Sequence, residues 1–216
     1  MRTLLRAISV TAGAVVAAGV FAVPSAHADT LTVQQALASL STATEVRTGY
    51  SRSLFPLWVD ADGDGCNTRE EVLIAESTIT PTIGSGCSVS GKWFSYYDGA
   101  TWTAASDVDI DHLVPLAEAW DSGARTWTTS VRQAYANDLG DPRTLVAVTD
   151  NVNQAKGDQD PATWLPPLAS VHCRYLNEWV AIKYRWRLSV DTTERNALNT
   201  LAGQCPNTTL TITRAR

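Results

Sequence analysis

Four cysteines, Cys66, Cys87, Cys173 and Cys205, place the tightest limit on how this chain of 216 residues folds. What they become depends on the compartment. Residues 1–28 read as a secretory signal: Arg2 and Arg6 precede an apolar run from Ala7 to Val23, and Ala26-His27-Ala28 has the small-x-small form of a cleavage site. A membrane anchor is the competing reading, but the run is rich in Ala and Gly and stops at Pro24, and no later stretch is apolar enough to span a bilayer. In an exported product oxidation is the default, and an even count of cysteines points to two disulfides. Proximity along the chain favours Cys66 with Cys87 and Cys173 with Cys205. Neither pair has the C-x-x-C spacing of a zinc knuckle, which argues against structural zinc.

The mature chain would begin near Asp29, leaving about 188 residues, enough for one well-filled core. Loss of Arg2 and Arg6 leaves fifteen Lys and Arg against twenty-two Asp and Glu, a net charge of about −7. That balance excludes a wide basic surface for gripping a polyanion, so any such contact must be local. Eight tryptophans supply large apolar area and read mostly as core.

Leu31 to Val46 carries Val33, Leu37 and Leu40 at helical spacing and is predicted as an amphipathic helix. Thr68-Arg69-Glu70-Glu71 has the form of a capping box opening a short helix through Glu76. Asp98-Gly99, between Trp93–Tyr97 and Thr101–Thr103, marks a hairpin. Val108–His112 reads as a short strand and Ala117–Leu139 as mostly helical with a break at Asp121-Ser122-Gly123. The apolar run Leu145–Val148 is short enough for a buried strand, and Thr149-Asp150 starts a helix. Trp164-Leu165-Pro166-Pro167 breaks the chain, a helix covers Ser170–Trp186, and Asp191-Thr192-Thr193-Glu194 starts another that ends at Gly203. The expectation is one α+β domain with a helical C-terminal layer, in which 29–106 form a helical and hairpin part and 107–216 the core that carries the chemistry.

Histidine is scarce: His27, His112 and His172 are the three. His27 falls in the signal, so His112 stands nearly alone as a base titrating near neutral pH. It ends Asp109-Ile110-Asp111-His112-Leu113-Val114-Pro115, and Asn153-Gln154-Ala155-Lys156-Gly157-Asp158 follows forty-one residues after it. A carboxylate beside a histidine at a strand end can aim a metal ligand and a base at one point. Asn153 and Lys156, three apart, share a helical face that can close the site from the other side.

Strand, Asp-His, connection, strand, then a helix with Asn-x-x-Lys is the order of a ββα-metal finger. The chain resembles the HNH endonucleases, and more closely an exported bacterial HNH family that shares a domain with the nuclease part of modification-dependent restriction enzymes. The matching stretches are Asp109–Leu116, Ala136-Asn137-Asp138-Leu139, Leu145–Val148, Asn151–Asp158 and Asp160-Pro161-Ala162-Thr163-Trp164. The resemblance implies a secreted endonuclease that hydrolyses phosphodiester bonds in DNA, with RNA left open. It implies His112 as the general base, exposed in its cleft, Asp111 and Asn153 as metal ligands, and Lys156 as a neutraliser of a phosphate oxygen or a support for the helix. Oxygen ligands suit Mg²⁺ or Mn²⁺ better than zinc. Many such motifs place an asparagine before the second strand to brace the histidine loop; here Pro142, Arg143 or Thr144 holds that position, and Asn137 or Asp138 is the candidate brace. Asp109 is either a partner of the ligands or a solvated charge, Asn151 a helix cap or a ligand, and His172 a structural residue.

Asp60-Ala61-Asp62-Gly63-Asp64-Gly65-Cys66-Asn67-Thr68-Arg69-Glu70-Glu71 matches a calcium-loop template through Asp60, Asp62, Asp64, Gly65 and Glu71. No clear helix precedes it, and an acidic turn tethered by a disulfide is the other reading. Arg69, in a Thr-Arg pair that recurs in the resembled family, is a candidate phosphate contact. The alternative to a nuclease is an exported calcium-binding cell-surface module with a non-catalytic nuclease-like fold.

Overall fold

Residues 28–216 are described in the structure, a computed structural model. The expected signal therefore lies outside the described residues except for Ala28. Strand β1 (Ala28–Thr32) runs into helix α1 (Val33–Ser39), capped by a reciprocal pair between Thr32 and Gln35. This helix is far shorter than the predicted Leu31–Val46. Leu31 is taken into β1, and at the other end the Arg195 guanidinium donates to the carbonyls of Leu37 and Leu40, at 2.8 and 2.6 Å, as the chain turns extended.

Helix α2 (Thr68–Glu76) follows, but its capping box is Asn67 with Glu70, not Thr68 with Glu71. Two short hairpins come next, β2 (Thr82–Ile83) with β3 (Val89–Ser90) and β4 (Trp93–Phe94) with β5 (Thr101–Trp102), the latter turning through Asp98-Gly99. Strand β6 (Val108–His112) leads to α3 (Leu116–Asp121), a single 3-10 turn at Ala124–Thr126, and α4 (Thr129–Ala136). Strand β7 (Leu145–Thr149) passes into α5 (Asp150–Lys156) with no connecting loop. Helices α6 (His172–Trp186) and α7 (Thr192–Gln204) form the C-terminal layer. Strand β8 (Thr209–Thr213), which was not anticipated, pairs antiparallel with β1. The fold is α+β.

The antiparallel β6–β7 pair positions the site. Its register sets Asp109 opposite Val148 and Asp111 opposite Val146, so these four share one face of the ribbon. That face packs into the larger core, built mainly by α1, α3, α4, α6 and α7. The other face, with Val108, Ile110, Leu145 and Ala147, packs on Val72, Leu73 and Trp93 in a smaller core. At the end of α2, Glu76 accepts the Ala147 N–H at 2.8 Å, covering an edge amide of β7. Disulfides join Cys66 to Cys87 and Cys173 to Cys205. The first ties the loop before α2 to the β2–β3 turn; the second ties the start of α6 to the end of α7.

Candidate functional site

An open cleft of about 200 Å³ lies where β6 meets α5, lined by Arg52, Ile110, Asp111, His112, Pro115, Leu116, Asn153, Gln154, Gly157 and Asp158. Strand β6 delivers Asp111 and His112. Because β7 continues directly into α5, Asn153 and Lys156 are fixed against the same ribbon. Helix α5 is only seven residues long and ends at Gly157, whose φ of +55° suits glycine.

Asp111 is buried, and its Oδ2 accepts from the Tyr97 hydroxyl at 2.6 Å and from Lys156 Nζ at 2.5 Å. Burial pushes the Asp111 carboxyl up and the Lys156 ammonium down, while their attraction opposes both shifts. Asp111 Oδ1 accepts no hydrogen bond among the described residues. Lys156 is fully buried and also donates to the His112 carbonyl at 3.0 Å. It therefore steadies Asp111 and the strand end. A direct role on a substrate phosphate, one of the two predicted for it, does not fit this burial.

His112 is not the exposed residue expected. It is 5% exposed, and its ring is stacked near-parallel between Trp58 and Tyr135, with centroids 5.8 and 6.4 Å away. Its Nε2 lies 2.9 Å from the Ala136 carbonyl. A carbonyl only accepts, so Nε2 carries the hydrogen and Nδ1 keeps the free lone pair. Burial lowers the ring's pKa to about 4, so it is neutral at pH 7 and able to take a proton.

Asn153 donates from Nδ2 to Asp109 Oδ2 at 3.1 Å. The carboxylate accepts only, which fixes the amide orientation and leaves Oδ1 available. Asp109 thus contacts a candidate ligand rather than solvent alone. Asp111 Oδ1 and Asn153 Oδ1 are both oxygen donors with no hydrogen-bond partner among the described residues, a set that fits a hard divalent cation.

Neither candidate brace holds the histidine loop directly. Asn137 donates to the carbonyls of Pro56 and Gln133 and accepts from Val59 N and Thr68 Oγ1, so it anchors the segment carrying Trp58. Asp138 is engaged by Arg185, Trp186 and Thr144. At the brace position, Thr144 does the work with its carbonyl, which accepts the Leu113 N–H at 3.1 Å. Arg69 does not line the cleft; its guanidinium donates to the carbonyls of Ala105 and Val108 at the foot of β6. His172 bonds the Pro166 carbonyl at 2.8 Å, and Asn151 is exposed on α5, whose N-cap is Thr149.

Trp58, Tyr97, Tyr135 and Arg52 escaped the sequence reading. Tyr97 sits in the aromatic run Trp93–Tyr97, whose density was visible but whose contact with Asp111 was not. Trp58 has a φ of +53°, a conformation costly for a large side chain, and its ring stacks on that of His112.

In the 60–71 loop, Asp60 accepts from Gly63 N and Gly65 N, Asp62 from Asp64 N and Asp64 from Cys66 N. Carboxylate oxygens of Asp60, Asp62 and Asp64 lie within 4.8 Å of one another, as do ligand atoms of Asp64, Cys66 and Glu71. Because Glu70 closes the capping box, Glu71 is free to face the loop. Burial and then the three aspartates raise its pKa.

Residues 82–201 match the family model of the GmrSD restriction endonucleases, C-terminal domain. Over 157 residues the chain is 57% identical to an uncharacterized secreted protein of Arthroderma benhamiae, covering 73% of this chain and 76% of that one. No solved structure matches the chain. The family match takes in every residue lining the cleft except Arg52. On this match the chain belongs to the family of the GmrSD restriction endonuclease C-terminal domain.

Proposed function

We propose that the protein is a secreted, metal-dependent endonuclease of the HNH type that hydrolyses phosphodiester bonds in DNA. One observation carries the reading. A neutral histidine, held by its Nε2–H on the Ala136 carbonyl, borders the same cleft as two oxygen donors, Asp111 Oδ1 and Asn153 Oδ1.

In this reading His112 Nδ1 takes a proton from the attacking water. Asp111 and Asn153 hold Mg²⁺ or Mn²⁺, which when bound supplies charge stabilisation at the phosphate and the leaving oxygen. Tyr97 and Lys156 hold Asp111 in place, and Asp109 turns the Asn153 amide. Trp58 and Tyr135 fix the plane of the imidazole and keep water from its faces. Family membership supports a nucleic-acid substrate. The two disulfides and the secreted relative support action outside the cell.

The test is degradation of plasmid DNA and of single-stranded RNA by the purified mature protein with Mg²⁺, Mn²⁺ or EDTA. Cutting of DNA that requires the cation and stops in EDTA is the expected result. No cleavage with either cation overturns the reading and favours the calcium-binding module instead.

A further inference from the structure

We propose that Arg52 is the residue that grips a phosphate oxygen of the bound strand, an inference that rests on the nuclease reading above. Residues 29–216 carry a net charge of about −7, which argues against a broad basic grip on a polyanion, so the cations at the cleft decide how one is held. Lys156 is buried on Asp111, and Arg69 is turned onto backbone carbonyls elsewhere. Arg47, nearby, is paired with Asp121 at 2.7 Å and Asp158 at 3.3 Å. Arg52 lines the cleft and is exposed, and its guanidinium makes no hydrogen bond or ion pair among the described residues.

The backbone that presents Arg52 is held on both sides. Arg52 opens a single 3-10 turn in which Phe55 N–H returns to the Arg52 carbonyl at 3.1 Å. Phe55 is buried against Trp120 and Tyr135, and Tyr50, on the other side, packs on Phe55 and Trp120. Asn137 captures the Pro56 carbonyl at 2.7 Å, and Trp58 lies on the His112 ring. The segment that steadies the histidine thus also sets where the guanidinium starts. A planar guanidinium with five N–H donors matches two non-bridging phosphate oxygens better than an ammonium does. Arg52 lines the same cleft as Asn153 and Gln154 of α5, so one phosphate bound there would be in reach of both segments.

The experiment compares wild type, Arg52→Ala, Arg52→Lys and, as a control outside the cleft, the exposed Arg187→Ala. Binding of a fluorescent DNA duplex is followed by anisotropy in EDTA across a salt series, and cleavage of the same duplex at saturating Mn²⁺. Arg52→Ala should weaken binding at least tenfold, lower the slope of log K against log salt by about one, and lower kcat/KM to match. Arg52→Lys should restore the slope but only part of kcat/KM. Melting temperature and Mn²⁺ affinity should not change, because the side chain is exposed and holds nothing else. If the wild type cuts DNA and Arg52→Ala keeps its salt slope and kcat/KM, this inference is overturned while the nuclease reading stands. If the wild type binds DNA without cutting it, the nuclease reading fails and the salt slope alone decides the role of Arg52. A wild type that neither binds nor cuts overturns both.

Discussion

The imidazole of His112 is tied through Nε2 to the carbonyl of Ala136, the last residue of α4, 2.9 Å away. A bond between the end of one strand and the end of a helix twenty-four residues later selects the tautomer, and with it the nitrogen that would take the proton in the proposed reaction. His112→Gln should therefore lose on the order of a hundredfold or more in cleavage without any rescue by added cation. Asp111→Asn and Asn153→Ala should instead weaken the metal and regain activity at high Mg²⁺ or Mn²⁺. Metal titrations of the three variants separate the roles; equal rescue of all three would show the assignment to be wrong.

Burial holds the His112 ring at about 4, below its ordinary 6.5. At saturating cation the acid limb of kcat/KM should fall close to pH 4–5 rather than near 6.5. The same depressed value means that the folded state resists protonation, so the stability it contributes is present above about 6.5 and is lost as pH falls toward about 4. A pH-rate profile with its acid limb at 6.5 or above would contradict this environment for the ring.

Removing Lys156 leaves the buried Asp111 carboxylate without its cation. Lys156→Met should cost about 3–5 kcal/mol in chemical denaturation, and pairing it with Asp111→Asn should recover much of that loss. If Lys156→Met is as stable as the wild type, the buried pair is not what holds Asp111.

The 60–71 loop brings its carboxylates together with Glu71 raised by burial and by their charge. Millimolar Ca²⁺ should raise the melting temperature of the wild type, and Asp62→Ala with Asp64→Ala should abolish the shift. Cleavage at saturating Mg²⁺ should survive in the double variant. Absence of any calcium effect on the wild type would leave the loop as a disulfide-tethered acidic turn.

Glu76 is held at about 7, chiefly by burial, although the Ala147 N–H favours its charged form. Its folded pKa exceeds the ordinary 4.5 of a free glutamate, so the stability that this shift contributes is full below about 4.5 and lost as pH rises to about 7. Glu76→Gln keeps an acceptor for Ala147 and removes the charge. Urea titrations should find the variant close to wild type near pH 4.5 and more stable at pH 8 by on the order of 1–3 kcal/mol; a variant no more stable at pH 8 would rule out the burial penalty.

The β6–β7–α5 unit was legible because its signals are local. Val108–His112 alternates apolar and polar residues, Leu145–Val148 is a short apolar run, and Thr149-Asp150 marks the turn into the helix. The helix predicted over Leu31–Val46 overran because apolar spacing does not reveal that Leu31 has a strand partner near the other end of the chain, or that Arg195 takes the last helical carbonyls. Thr209-Leu210-Thr211-Ile212-Thr213 alternates as a strand should, but a strand needs an identified partner. Tyr97, Trp58, Tyr135 and Arg52 were missed for a common reason: Tyr97 meets Asp111, Trp58 and Tyr135 meet His112, and Arg52 lines the cleft, each from outside the motifs that carry the site. The first three are aromatic residues that composition alone assigns to the core, and Arg52 sits in a loop with no motif.

The pairing of β1 with β8 also shapes how this molecule comes to be folded. The register joins Ala28 to Thr213 and Thr32 to Thr209, contacts that span nearly the whole described chain. Closing so long a loop carries a large entropic cost, and contacts of this range form slowly. An incomplete chain would leave β1 an open edge and α1 without the strand that covers its neighbour Leu31. The first described strand therefore waits for the last one before it gains a partner, and α1, which follows it directly, is set in place only once that long-range pairing has formed.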